Sequence, residues 1–116
     1  MKRRFRLSSS SDYQRVRRKG KSYAHPLIVL IVLPNELEKS RFAVSAGRSV
    51  GNAVQRNRAK RLLRESLRPH IPDITSGRDI LLLARHAILE ASFQEIQAAL
   101  NVLLRRSHLL ENEQIE

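Results

Sequence analysis

RSVGNAVQRNRAKRLLRE, Arg48 to Glu65, joins a glycine turn, a helix start and six positive side chains within eighteen residues. Asn52, with Gln55 three positions on, has the spacing of a helix cap, and Pro69 stops the helix that follows. At about 100° per residue, Asn57, Lys60, Arg61, Arg64 and Arg68 share one sector, while Ala59, Leu62, Leu63 and Ser66 fall on the other side. The predicted helix thus has a packing face and a cationic face. Ordinary charged faces mix signs so that residues four apart attract, but here Glu65 is the sole acid among six bases. Such crowding opposes the free helix, and a polyanionic partner relieves it. Ahead of the helix, Gly51 permits close backbone approach, and the free N–H groups of the first turn carry the positive end of the helix dipole. Both suit phosphate.

Working outward, Ser9 with Asp12 resembles a capping box, opening a short basic helix that ends at Lys19 and Gly20, with Tyr13 and Val16 as a narrow apolar stripe. Leu27 to Leu33 is a continuous apolar run ended by Pro34, the pattern of a central strand buried on both faces. Asn35 to Ser40 is a polar turn. In Arg41 to Gly47, Phe42, Val44 and Ala46 alternate with Ala43, Ser45 and Gly47, giving a bulky face and a small-residue face able to admit a helix or a ligand. Asp79 to Arg85 reads as a further strand. Ser92 with Glu95 opens a last helix in which Phe93, Ile96, Leu100, Leu103, Leu104 and Leu110 recur at helical spacing, and Phe42 and Phe93 are assigned to the core. No repeat or Gly/Ser linker divides the chain, so residues 1–116 form a single expected domain, fraying in its first few residues and in Glu111 to Glu116.

Charge is unevenly placed. Lys and Arg number 22 against 11 acids, and residues 1–68 hold 18 of the bases with 4 acids, whereas residues 69–116 hold 4 bases with 7 acids. The basic half is the expected docking half, for nucleic acid, an anionic membrane surface or an acidic protein. Leu27 to Leu33 falls far short of the roughly 20 residues that span a bilayer, and the basic start has no apolar stretch after it, so neither insertion nor a signal peptide is expected. The absence of cysteine leaves no disulfide framework or thiolate metal site and fits a cytoplasmic location.

The central segment resembles the protein subunit of bacterial ribonuclease P, whose signature is a basic pair, Gly-Asn-Ala, Arg-Asn-Arg and further basic residues. Arg48, Gly51-Asn52-Ala53, Arg56-Asn57-Arg58, Lys60-Arg61 and Arg64 match it, and Ser49 stands where the second residue of the basic pair is usual. The resemblance also covers the length, the early helix and the final amphipathic helix. It implies an α/β fold of two-layer α+β type like domain 2 of ribosomal protein S5, in the order α-β-β-β-α-β-α, with a left-handed crossover where the general rule for parallel units gives the right-handed form.

The function implied is that of an accessory subunit to a catalytic RNA, in 1:1 ratio, that removes the 5′ leader from precursor tRNA. Mg2+ is then required by the RNA-based holoenzyme and held mainly by RNA, with no cofactor bound by the protein alone, no membrane and no small-molecule substrate. Arg48, Gly51, Asn52, Arg56, Asn57, Arg58, Lys60, Arg61 and Arg64 match the motif that grips the catalytic RNA, where arginine suits bidentate phosphate contact. The leader is implied to lie between the first helix and the sheet, on basic side chains and stacking aromatics. Tyr13 matches one such aromatic, Arg17 replaces a second one turn later, and Ile31 replaces a strand aromatic. Tyr13 is equally a candidate core anchor, and Ser45 either lines the cleft or marks close helix packing.

The residues themselves also point away from protein-based cleavage, which needs clustered carboxylates for metals or a positioned acid and base. The acids are read as scattered singly through loops and tails, and His25, His70, His86 and His108 lack ligand spacing. Two alternatives stay open at this point. A ribosomal or other structured-RNA binder shares the charge but has no reason to reproduce both spaced motifs. A DNA-binding regulator would place the basic helix in a major groove, yet the helix offers many charges and few base-reading side chains.

Overall fold

The computed structural model describes residues 6–7 and 9–110. The element order is α1 (Ser10–Lys19), β1 (Lys21–Ala24), β2 (Ile28–Pro34), β3 (Arg41–Ala46), α2 (Ala53–Leu67), β4 (Arg78–Ala84) and α3 (Phe93–Arg106), with 3-10 segments at Arg68–Asp73 and His86–Glu90. The expected α-β-β-β-α-β-α order is present. The segments expected to fray, residues 1–5 and 111–116, lie outside the described residues.

The four strands form one sheet in the order β1-β2-β4-β3. β2 pairs antiparallel with both β1 and β4, and β3 pairs parallel with β4, so α2 is the crossover between parallel neighbours. Because strand side chains alternate, the two central strands serve both faces. Ile28, Leu30, Val32, Ile80, Leu82 and Ala84, with Phe42 and Val44 of β3, meet α2 and α3 in the main core. Val29, Ile31, Leu33, Leu81 and Leu83 point the other way and, with Ala43, pack against Tyr13 and Val16 of α1 and against Leu7. The continuous apolar runs are therefore explained by helices on opposite faces.

Local signals place the helices. Ser9 Oγ accepts from the Asp12 N–H at the start of α1. Asn52 and Gln55 form a complete capping box on α2, and Ser92 and Glu95 another on α3. Gly20 ends α1 for a different reason than a left-handed cap. Its backbone is extended, and a Cβ there would lie 2.5 Å from Ile31 Cγ2 and 2.6 Å from the Val16 carbonyl oxygen, so glycine lets the chain turn tightly onto β2.

One strand has no signal in the sequence, and two readings need correction. Lys21–Ala24 has no apolar alternation visible in the sequence, yet it forms the edge strand β1, in which only Tyr23 is half-buried. Phe93 is 40% exposed, because helical side chains tilt toward the N-terminus and the first residue of α3 projects past the packed layer. Leu110 lies beyond α3, which ends at Arg106, and reaches Ile74 through an isolated bridge after His108 turns the chain with φ 57°.

Candidate nucleic-acid interface

Packing decides which side of α2 meets solvent. Ala59, Leu63, Ser66 and Leu67 are buried against the sheet and α3, and the buried Ser66 hydroxyl donates to the Leu62 carbonyl, so the close contact leaves no polar atom unsatisfied. On the outer side Asn57, Arg58, Arg61, Arg64 and Arg68 are exposed and Lys60 is half-buried. Among the described residues one ion pair touches this face, Arg68 Nη1 to Glu65 Oε2 at 3.2 Å between exposed side chains. Surface pairs of this kind contribute little. The cations are thus neither neutralised by nearby acids nor turned into the core. Val54, 77% exposed, sits on the same side as an apolar knob that sequence reading passed over.

The glycine turn is built around the cap. Asn52 Oδ1 accepts from the Gln55 N–H at 2.9 Å, and Gln55 Oε1 accepts from the Asn52 N–H at 2.8 Å. Gly51 has φ 151°, and a Cβ at that position would collide with the Gln55 side chain, so the residue is glycine both for its conformation and for the space the cap fills. The cap uses part of what the sequence seemed to offer an anion. With the Gln55 N–H committed, the outward donors of the first turn reduce to Ala53 and Val54. Arg56 is half-buried and donates to the Gly51 carbonyl at 2.9 Å, which separates it from the outward-facing Arg58. Arg48 is exposed in the loop before the turn, whose Val50 is buried and accepts at its carbonyl from His86 Nδ1 at 3.0 Å.

Of the second set, Tyr13 is half-buried against the cluster under α1, Arg17 is exposed one turn later, and Ser45 is half-buried on the same sheet face as Ala43. Ile31 is 4% exposed beneath Val16 and Gly20. It supports the helix and offers no surface, which corrects its placement among leader contacts.

A group that sequence reading missed lies at one end of the sheet beside α1. Asp79, fully buried, accepts from Arg41 Nε at 2.9 Å, Arg41 Nη2 at 2.8 Å, Arg15 Nη2 at 2.8 Å and Asn35 Nδ2 at 2.8 Å. Asp12 accepts from the same two arginines at 3.2 Å each. Burial alone would raise the Asp79 pKa, but the bonds from Arg41, Asn35 and Arg15 hold it below the usual carboxylate value. The reading of acids scattered singly is therefore wrong for this pair. Their oxygens are turned to guanidinium groups, which leaves them poorly placed as metal ligands, and among the described residues no three His, Asp or Glu side chains gather as a metal set. The histidines are dispersed: His25 accepts from the Leu27 N–H in the β1–β2 turn, and His70 has its pKa lowered by burial, partly offset by Asp73. No described helix is long and apolar enough to cross a membrane.

Comparison with known proteins sets this geometry among relatives. The family model for Ribonuclease P matches residues 1–108. The ribonuclease P protein component of Natranaerobius thermophilus is 43% identical over 105 residues, covering 90% of this chain and 91% of that protein. That of Herpetosiphon aurantiacus is 38% identical over 109 residues, with 94% and 89% covered. Among solved structures, the RNase P protein of Staphylococcus aureus superposes with a TM-score of 0.82 at 30% identity, covering 92% of this chain and 98% of that one. The RNase P protein of Thermotoga maritima gives 0.77 at 30% identity, with 87% and 96% covered.

Proposed function

The chain belongs to the ribonuclease P protein family, components of an endoribonuclease that works with an RNA subunit in tRNA 5′ processing, and from that premise we propose how its surfaces divide the work. The outer face of α2 binds the catalytic RNA. Arg58, Lys60, Arg61 and Arg64 supply phosphate contacts, Arg48 extends them along the preceding loop, and Asn57 and the free amide of Asn52 add hydrogen bonds. Gly51 and Arg56 shape the turn that holds this face in register. The observation that carries this reading is the row of outward cations on α2 with a single exposed acid beside them.

The leader of precursor tRNA lies beside α1, where the half-buried Tyr13 stacks on a base, Arg17 stacks or pairs with phosphate, and Ser45 lines the sheet side. One protein joins one RNA in the cytoplasm. By neutralising phosphate between two RNAs and holding the leader, the protein makes the assembly prefer precursor over mature tRNA and lowers its need for Mg2+, which the RNA holds. Cleavage belongs to the RNA, a reading supported by the lack, among the described residues, of any three His, Asp or Glu side chains gathered as a metal set. Reconstitution tests this: the protein with its catalytic RNA should cleave precursor tRNA at lower Mg2+ than the RNA alone, and the protein by itself should not cleave. Specific cleavage by RNA-free protein would refute the division of labour.

A further inference from the structure

We infer that Asp12, Arg15, Arg41 and Asp79 form a clamp that fixes the seat of α1 on the sheet and thereby sets how Tyr13 and Arg17 meet the leader, an inference that rests on the leader surface proposed above. Hydrophobic packing specifies this seat weakly. Of the ten residues of α1 only Val16 is buried, and the cluster beneath it contains just Leu7, Ile31 and Leu81 as further buried members. A helix held by one buried apolar knob and the half-buried Tyr13 beside it can rotate about its axis with modest loss of contact, since burial is not directional.

Directional bonds remove that freedom. Arg15 donates to Asp12 within α1 and to Asp79 in β4, while Arg41 in β3 donates to the same two carboxylates, so the helix is tied to two neighbouring strands. Asn35 adds the β2–β3 turn by donating to Asp79. On the helix, Asp12 and Arg15 lie on one flank of Val16, and Tyr13 and Arg17 lie on the other, with Arg15 and Arg17 each about 100° from Val16 in opposite directions. Any rotation that slackens the Arg15 bonds therefore swings Tyr13 and Arg17. Two carboxylates face two guanidiniums, so the group is electrically balanced and adds little to phosphate attraction. Its effect is placement.

The test uses the holoenzyme reconstituted with catalytic RNA and reads the ratio of affinities for leader-bearing precursor and mature tRNA. Arg15→Met keeps the apolar stem and removes the fork; the ratio should fall by about tenfold, the equivalent of one hydrogen bond near the top of its usual net range. Affinity for the catalytic RNA and its salt dependence should stay those of the unaltered protein. Arg15→Lys should recover part of the ratio, since an ammonium reaches one carboxylate well and two poorly. A folded Arg15→Met protein with an unchanged ratio overturns the clamp, as does a loss shared equally with RNA affinity. Should Arg15→Met not fold, Asp12→Asn takes its place, with a smaller fall expected and an unchanged ratio again decisive against the idea. Tyr13→Ala run in parallel separates the two layers of argument. If it lowers the ratio and Arg15→Met does not, the clamp alone is wrong; if folded Tyr13→Ala leaves the ratio unchanged, the leader surface is wrong as well.

Discussion

The Arg41 guanidinium holds Asp79 with two parallel bonds, Nε to Oδ1 at 2.9 Å and Nη2 to Oδ2 at 2.8 Å, across the parallel pairing of β3 and β4 that sets these residues directly opposite each other. The carboxylate is fully buried and the arginine side chain is 21% exposed, so the acid depends on its partners while the base keeps some access to water.

Asp79→Asn should destabilise the protein by about 3 kcal/mol, near the lower end for a broken buried pair because Arg41 can partly hydrate. The folded-state pKa of Asp79 is depressed, so its contribution is present above the unfolded-state value and is lost as pH falls through the folded one. Urea midpoints should therefore separate wild type from variant at neutral pH and converge in acid. A gap that persists in strong acid would remove ionised Asp79 as its source.

Arg64→Ala should weaken binding to the catalytic RNA and make the slope of log affinity against log salt shallower by about 0.7 to 0.9, the share of one phosphate contact. Arg41→Ala should leave that slope unchanged, because its charge is already spent on Asp79 and Asp12. Equal slopes for wild type and Arg64→Ala would take Arg64 out of the interface.

Gly51→Ala puts a side chain at φ 151° and into the space of Gln55. The expected cost is about 1 to 3 kcal/mol, from backbone strain together with a disturbed capping box. RNA affinity should fall more than in Gln55→Ala, which loses the reciprocal cap bond without straining the backbone. Thermal unfolding and filter binding on both variants check this.

What could be read from sequence was what is written locally. Asn52 and Gln55, Ser92 and Glu95, and the glycine and proline stops sit within a few residues of the elements they bound, and the outward row on α2 follows from helical period alone. Lys21–Ala24 escaped because an exposed edge strand needs no alternation and takes its order from its neighbour β2. The Asp79 group escaped because its members are 64, 38 and 29 positions apart in the bonds Arg15–Asp79, Arg41–Asp79 and Arg41–Asp12. The register of β3 on β4 brings the last strand's acid to them, and no period encodes register. Ile31 looked like a site residue by position, and only the tight turn at Gly20 shows that it lies beneath α1.

The strand last in sequence lies between two that precede it, with β2 on one side and β3 on the other. While the polypeptide is being synthesised, the cationic helix emerges complete before the segment that closes the sheet under it. Arg15 and Arg41 likewise emerge ahead of the carboxylate that will claim them. Until about residue 84 has left the ribosome, the nascent chain carries most of its positive charge on an unfinished support in a compartment crowded with RNA. Insertion of β4 between β2 and β3 is what completes the sheet beneath that charge.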